Sequence, residues 1–274
     1  MISRTWDRSQ IGRRSEYSIE RLLAFRDYYE RTSILRAFMV CALTPIPALL
    51  VALSIDCIPL KVPSDGWRAN YAAWVRLFVM MAAISLVMIE QIRDVIVRGT
   101  ISNAGAVKVA LGTASCYVAV STGVAAAWRF PIPFGLVLMV WPYVIIFSSW
   151  TVLVIGPRLL LQSSLLRQQI KAQLLTVATQ GVVAVAYPLF SAVFNRLSDA
   201  PDQQALFVMV LPTLKFVLKQ MIARVSTHLH ERVGSLIVFT VDVFNVIYVS
   251  VCMQTAQSVL TTILLMASDV FHIL

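Results

Sequence analysis

The chain has 274 residues, of which 58% are hydrophobic and only 14% are charged, with a net charge of +9. Soluble domains are about half apolar and about a quarter charged, so a disordered, fibrous or ordinary soluble protein is excluded. The apolar residues fall in blocks of roughly 20, the length that a helix needs to cross about 30 Å of hydrocarbon. The composition therefore predicts an all-α, polytopic membrane helix bundle.

The N-terminal residues 1–33 predict a basic cytosolic segment. The first 36 residues hold eight arginines and no long apolar run, and no cleavable signal peptide is visible. Residues 17–32 place apolar side chains among charges at helical spacing, and Ser15 or Ser18 can act as the N-cap. Two interpretations stay open here. One is a short amphipathic helix on the membrane surface, and the other is a charged helical extension of the first span.

Seven apolar segments follow, within a range of six to eight spans, and they predict a transmembrane bundle over residues 34–257. The segments cover residues 34–55, 71–89, 107–127, 134–155, 174–194, 205–223 and 235–257. With alternating spans, 18 Lys and Arg residues fall on the side of the N-terminus and five on the other side. Cytosolic loops are enriched in positive charge, so this bias predicts a cytosolic N-terminus.

The C-terminal residues 258–274 form an apolar tail, and Gln254, Gln257 and Ser258 predict a break before it. The stretch from Gly234 to the end is too long for one comfortable span and slightly short for two with a turn. We expect either an interfacial helix or an incomplete eighth span, and a truncated gene model is an open alternative.

Charged and amide side chains inside the last two spans are the main candidates for function, because burying them in hydrocarbon is costly. If the sixth span enters at Ala205, Lys215 lies about 15 Å deep and Lys219 about 21 Å. If the seventh returns from the other side at Ser235, Asp242 lies about 10 Å and Asn245 about 15 Å deep. In a core of about 30 Å these heights nearly coincide, so we predict a polar cluster in which Lys219 meets Asp242 and Lys215 meets Asn245. The alternative is that Lys219, alone or together with Lys215, extends to the cytosolic interface while Asp242 only joins helices.

Prolines and small residues predict where spans bend and pack. Pro45 and Pro47 interrupt the first span, Pro188 the fifth and Pro212 the sixth, and broken spans commonly line substrate cavities. In the third span Ala119, Gly123 and Ala127 form a small-residue ridge. Such ridges pack helices closely, either within a bundle or between protomers.

Motifs for chemistry are not visible. The four cysteines show no paired spacing, and His228, His230 and Glu231 are poorly placed for one metal because alternate helical residues face different directions. No hydrolase, metalloprotease or phosphate-loop motif occurs, so we expect neither an enzyme nor a metal or cofactor. The basic surplus fits anionic lipid at the cytosolic face rather than nucleic acid, since no nucleic-acid-binding module is present.

Several stretches resemble a family of multi-pass transmembrane proteins that is numerous in oomycetes and has no assigned function. They are residues 17–50, PSDGWRANYAAWVRLF (63–78), FPIPFG (130–135), YPLFSAVFNRLS (187–198), 203–224 and VDVFNVIY (241–248). The resemblance implies a membrane protein and transfers no catalytic or binding residue.

Two functions stay open from the sequence. The first is a transporter or channel-like protein that uses the polar cluster between its last two spans. The alternative is a membrane scaffold or receptor-like signalling protein whose basic cytosolic face binds lipid or a partner. A homo-oligomer or a separate membrane partner fits either function.

Overall fold

The computed structural model describes residues 19–97, 99–197, 200–256 and 258–271, and the regular structure in these ranges is all helical. Within these described ranges, seven helical stretches are long and apolar enough to cross a membrane. They are Ile34–Asp56, Tyr71–Arg93, Asn103–Ala127, Gly135–Ile155, Ser164–Arg196, Asp202–Val225 and Val233–Thr255. The predicted all-α bundle of seven spans is confirmed, and the protein is an integral, multi-pass membrane protein.

The helices are numbered in chain order. They are α1 Ile19–Arg31, α2 Ile34–Leu43, α3 Ile46–Asp56, α4 Gly66–Ala69, α5 Tyr71–Arg93, α6 Asn103–Ala127, α7 Gly135–Ile155, α8 Pro157–Gln162, α9 Ser164–Arg196, α10 Pro201–Val208, α11 Val210–Val225, α12 Val233–Ile237, α13 Val243–Thr255 and α14 Val259–Phe271. Pro63–Asp65 and Thr227–Arg232 form 3₁₀ turns, and Val238–Asp242 forms a π-helical turn.

The N-terminal helix α1 is separate from the first span. Ser33 is extended, with φ −68° and ψ 149°, and its side chain accepts a hydrogen bond from the backbone N–H of Arg36 at 3.3 Å. This cap starts a new helix, so an unbroken charged extension of the first span is wrong. The candidate caps Ser15 and Ser18, with the rest of the basic segment before Ile19, lie outside the described residues.

The C-terminal tail is helical and packed. Helix α13 ends at Thr255 and α14 begins at Val259, which confirms the break predicted near Ser258. Helix α14 packs chiefly against α10, and its Thr261 and Leu265 are fully buried. Its 13 residues extend about 20 Å, which is less than the hydrocarbon thickness of about 30 Å.

The described chain divides into two compact units. The first unit comprises residues 19–135 and 145–166, and the second comprises residues 136–144 and 167–271. In the first unit α5 and α6 pack along each other. Gly112 of α6 faces Trp150, so close that a methyl group at Gly112 would lie 2.5 Å from the indole ring. The second unit has a core of apolar side chains from α9, α10, α11, α13 and α14, including Tyr187, Phe194, Leu211, Cys252 and Leu265.

The small-residue ridge does not pack within the chain, so that part of the prediction is wrong. Ala119, Gly123 and Ala127 are exposed, and a methyl group at Gly123 would have no atom within 4 Å. The buried face of α6 carries other small residues instead: Ala106, Ala110, Ala114, Ser121 and Ala125. Packing of the ridge between protomers stays a prediction.

The predicted proline breaks have different outcomes. The first span is interrupted, since α2 ends at Leu43 and α3 begins just after Pro45. Pro188 lies inside α9, which continues to Arg196, so the predicted break of the fifth span is wrong. The helix tolerates this proline because neighbouring side chains in a bundle can satisfy the backbone groups that it frees. Pro142, inside α7, is a further helical proline that the sequence did not single out.

Candidate functional site

The sixth span consists of two helices, and its charged residues lie on the second. Helix α10 ends at Val208 and α11 starts at Val210, with Met209 between them. Pro212 falls in the first turn of α11, where a missing N–H costs nothing because those donors have no partner within the helix. The break therefore precedes Pro212, and Lys215 and Lys219 follow one turn apart on one face of α11.

The seventh span is interrupted by a π-helical turn that ends at Asp242. At this turn the N–H of Val243 donates to the carbonyl of Val238, five residues earlier. A π turn inserts one residue into an α-helix and often occurs at functional sites. It divides α12 from α13 and places Asp242 where the two meet.

The structure brings both lysines to the one carboxylate. Lys219 Nζ lies 2.8 Å from Asp242 Oδ1, and Lys215 Nζ lies 3.5 Å from the same oxygen. The predicted meeting of Lys219 with Asp242 is present. Lys215, which the sequence placed at the level of Asn245, reaches Asp242.

The members of this polar cluster differ in burial. The side chains of Lys219 and Asp242 are 26% and 29% exposed, whereas that of Lys215 is 6% exposed. Asn245, one turn after Asp242, is 1% exposed. The polar groups thus extend from a partly open side of the helix pair into its interior. Lys215 is buried beside Asp242, whereas the alternative in which Lys219 extends to the interface and Asp242 only joins helices stays a prediction.

The depth of the cluster follows from the observed helix ends. Lys215 lies ten residues before the end of α11 at Val225, or about 15 Å along the axis. Asp242 lies nine residues after the start of α12 at Val233, or about 14 Å along its span. Both distances are about half of a hydrocarbon core of about 30 Å.

Acidic residues are scarce in the membrane-spanning sequence. No Asp or Glu occurs between Asp94 and Asp199, and Asp242 is the only one between Glu231 and Asp269. Among the described side chains, the polar cluster combines the two ammonium groups with the Asp242 carboxylate. Such a site can bind an ion, exchange a proton or guide a charged solute along the two spans.

Tyr187 of α9 supports the π turn from the fifth span, and sequence reasoning did not identify this role because Tyr187 reads as one more aromatic in an apolar segment. Its fully buried hydroxyl donates to the carbonyl of Val241 at 3.3 Å. Its ring stacks on Tyr248 at 5.8 Å and on Phe244 at 6.4 Å between centroids. This contact fixes the carbonyl next to Asp242.

A second polar contact joins α9 to the turn between the last two spans. Gln173, which is fully buried, and His228 have their Nε2 atoms 2.8 Å apart, and His228 Nδ1 lies 3.2 Å from the carbonyl of Val225. With Nδ1 protonated, the imidazole Nε2 accepts from the Gln173 amide. The side chains of His230 and Glu231 lie outside the described part of the chain. Among the residues described, no group of three or more His, Cys, Asp or Glu side chains could hold a metal ion.

Comparison with family models, with curated proteins and with solved structures gives no match to the chain. The function must therefore be argued from the polar cluster itself. The resemblance to oomycete membrane proteins stays a prediction.

Proposed function

We propose that the protein is a transporter or channel-like protein in which the polar cluster lies on the path of the solute. The observation that carries the proposal is the shared ion pair of Lys215, Lys219 and Asp242 at about half the depth of the last two spans. Charged residues at such depth are costly in hydrocarbon and typically line pathways for ions or substrates.

Burial within the cluster supports a path. A cluster that served only to join helices would be stable with all of its charges covered. Here Lys219 and Asp242 keep about a quarter of their surface exposed, while Lys215 is covered. A solute that reaches the open side therefore meets charge before it reaches the interior of the helix pair.

The interrupted helices support the same function. Span six breaks at Met209 and span seven carries the π turn, so both helices of the site depart from regular α geometry within the first half of the span. Interrupted spans in transporters supply backbone groups to the solute and hinges for movement. Regular, uninterrupted helices would suffice for a static bundle.

The test is ion flux through purified protein in proteoliposomes and current across planar bilayers containing it, in potassium chloride. We expect flux above that of empty vesicles, and a large loss in Asp242→Asn. Lys171→Gln is the matched control, since Lys171 is an exposed lysine of the second unit away from the cluster. Absence of any flux, or equal flux in wild type and Asp242→Asn, would contradict the proposal.

A second function is favoured by the first span. None of the residues in its apolar window is buried, in contrast to 22% or more in the other six spans. An apolar helix with all faces open can bind a second membrane helix, as a scaffold or receptor-like subunit requires. Photo-crosslinking from Leu49 and Leu53, with Leu138 of α7 as the exposed control, would detect such a partner. Labelling no stronger than at Leu138 would count against this function.

A further inference from the structure

A cavity of about 310 Å³ lies in the first unit, where α5 ends and the connection to α6 begins. Ligand pockets range from about 300 to 1,000 Å³, so this cavity suits a small polar group rather than a whole lipid. It shares no residue with the polar cluster, and the proposed transport does not depend on it. The described side chains that line it include Glu90, Arg93, Asp94, Ile96, Val97 and Ile101.

The depth of the cavity is that of lipid headgroups. The second span, Tyr71–Arg93, has 23 residues and extends about 33 Å along its axis. The hydrocarbon core is about 30 Å thick, and the headgroup layers bring the bilayer to about 40–45 Å. A span that covers the core therefore ends at its boundary, and Glu90 lies only about 4.5 Å before Arg93. Both residues are within reach of the headgroups on the side of the N-terminus.

The lining presents both signs of charge as a formed ion pair. Arg93 Nη1 lies 2.6 Å from Glu90 Oε1, and Arg93 Nη2 donates to Asn103 Oδ1 at 2.6 Å. These contacts use two of the five N–H donors of the guanidinium and one of the two oxygens of the carboxylate. The Glu90 side chain is 50% exposed and that of Arg93 is 26% exposed. A ligand in the cavity can therefore contact both members of the pair.

A zwitterion fits this lining better than an ion of one sign. Because it adds no net charge, it can contact Glu90 and Arg93 without changing the charge balance around them. Its anionic group accepts from the guanidinium, and its cationic group donates to the carboxylate. Zwitterionic phospholipids carry phosphocholine or phosphoethanolamine, and only the ethanolamine ammonium has N–H donors. We therefore infer that the cavity binds the headgroup of phosphatidylethanolamine.

An apolar strip on α5 favours a lipid over a free phosphoethanolamine. It lies on the helix face that carries Glu90 and continues from the cavity along the span. Its exposed side chains are Val79, Met80, Leu86 and Val87. The acyl chains of a lipid can lie along this strip while the headgroup occupies the cavity. A soluble headgroup lacks that second contact.

The test is native mass spectrometry of the full chain, released from nanodiscs of equal parts phosphatidylethanolamine, phosphatidylcholine and phosphatidylglycerol. We expect bound phosphatidylethanolamine to exceed each of the other lipids by about tenfold, the effect of one charge-assisted hydrogen bond. Glu90→Gln should remove this preference. Glu30→Gln is the matched control and should keep it, because Glu30 pairs with Arg26 at 2.8 Å, is 55% exposed and lies outside the cavity.

Val97→Trp offers a second variant that keeps every charge. Val97 lines the cavity and is exposed, so a larger side chain fills part of the space without disturbing the core. The preference for phosphatidylethanolamine should fall as it does in Glu90→Gln. Thermal unfolding shows that each variant is folded, which both exposed positions lead us to expect.

Three results would overturn the inference. They are equal retention of the three lipids by the wild type, a preference for phosphatidylglycerol, and an unchanged preference in either folded variant. Displacement of the bound lipid by free phosphoethanolamine would overturn the assignment to a lipid, since the free headgroup has no acyl chains. These measurements do not require flux, so their failure and that of the proposed transport are distinguishable.

Discussion

The Asp242 carboxylate faces two ammonium groups in the last two spans, those of Lys215 and Lys219. Removing one charge from a buried pair leaves the other uncompensated, which is more costly than removing both. The three residues therefore differ in what their loss should do. A lysine can be lost with one ion pair left intact, but loss of the carboxylate leaves two like charges side by side.

Asp242→Asn should destabilise the protein more than Lys215→Met. We expect a loss of about 3 kcal/mol for Asp242→Asn, the low end for a broken buried pair, because Asp242 and Lys219 are partly exposed. Lys215→Met should change the stability by less than about 1 kcal/mol, since Lys219 and Asp242 remain paired at 2.8 Å. Reversible unfolding in mixed micelles would measure both. Equal losses in the two variants would contradict this ranking.

Two glycines of α6 offer a matched pair. Gly112→Ala should cost about 1–3 kcal/mol, because its methyl group would overlap the Trp150 ring. Gly123→Ala should be neutral or stabilise by up to about 1 kcal/mol, because the space around Gly123 is open and alanine favours the helix. Thermal unfolding of both variants checks the pair. A large loss in Gly123→Ala, together with a change of oligomeric state, would support packing of the ridge between protomers.

For single residues, the sequence predicted the depth of a side chain along its span better than the helix face on which that side chain lies. The rise of 1.5 Å per residue was enough to bring Lys219 to the level of Asp242. The choice between Gly112 and Gly123 could not be predicted, because small residues occur all around α6 and only Trp150, 38 residues after Gly112, selects the packed face. The sharing of one oxygen by both lysines depends on side-chain positions that spacing does not determine.

At the scale of elements, the π turn in the seventh span is stabilised by a hydrogen bond from helix α9. Hydrophobic pattern predicts α-helix throughout residues 235–257, and an inserted residue leaves no signal in such a uniformly apolar segment. The Tyr187 hydroxyl, 54 residues away in sequence, contacts the Val241 carbonyl. The turn thus depends on a tertiary contact. The hydrogen bond of the Tyr187 hydroxyl can be removed without removing the ring that stacks on its aromatic neighbours.

Tyr187→Phe should loosen the π turn while it keeps the ring stack. Loss of one neutral hydrogen bond costs about 1 kcal/mol. We expect faster amide exchange at Val243, whose N–H donates across the turn, and a weaker effect from Tyr248→Phe, which removes a hydroxyl from the same stack. Hydrogen exchange with mass spectrometry measures both. Equal exchange in the two variants would mean that the Tyr187 hydroxyl does not support the turn.

The first span is tied to the second at one end. The Arg76 guanidinium donates to the Ile55 carbonyl at 2.7 Å and to Asp56 Oδ1 at 2.6 Å, which caps the end of α3. A cation is favourable at a helix C-terminus, and this one also bridges two spans.

Arg76→Gln should increase amide exchange in the last turn of α3 by several-fold, since it removes both contacts. Arg68→Gln is the control, because Arg68 lies in the same connection with its guanidinium over the Trp67 ring. If the exchange of residues 52–56 is the same in both variants, the bridge does not hold the first span.

The predicted elements agree with the structure best where the pattern is apolar and least at their polar ends. Helix α9 begins at Ser164, ten residues before the predicted start at residue 174. The early part holds Arg167 and Lys171, which end an apolar window but do not end a helix, since both are good helix formers. Hydropathy locates the part of a helix that fits the membrane, whereas capping decides where the helix stops.

At the scale of the whole molecule, the charge bias predicts the orientation. Cys57 lies in an exposed connection that follows the first span, and Gln162 is exposed before the fifth. With a cytosolic N-terminus, an impermeant maleimide should label Cys57 in intact cells. Gln162→Cys, in a Cys57→Ala background, should be labelled only after permeabilisation. The opposite pattern would invert the topology and leave the seven spans unchanged.

Helix α9 is also longer than the membrane is thick. Its 33 residues measure about 50 Å, against a hydrocarbon core of about 30 Å. It therefore tilts or projects into water, and Gln173, which contacts His228, lies in its first third. If α9 pivots near the membrane centre, a tilt of about 10° displaces its Ser164 end by roughly 5 Å. A rearrangement that tilts α9 would thus move its Ser164 end farther than the residues near the membrane centre.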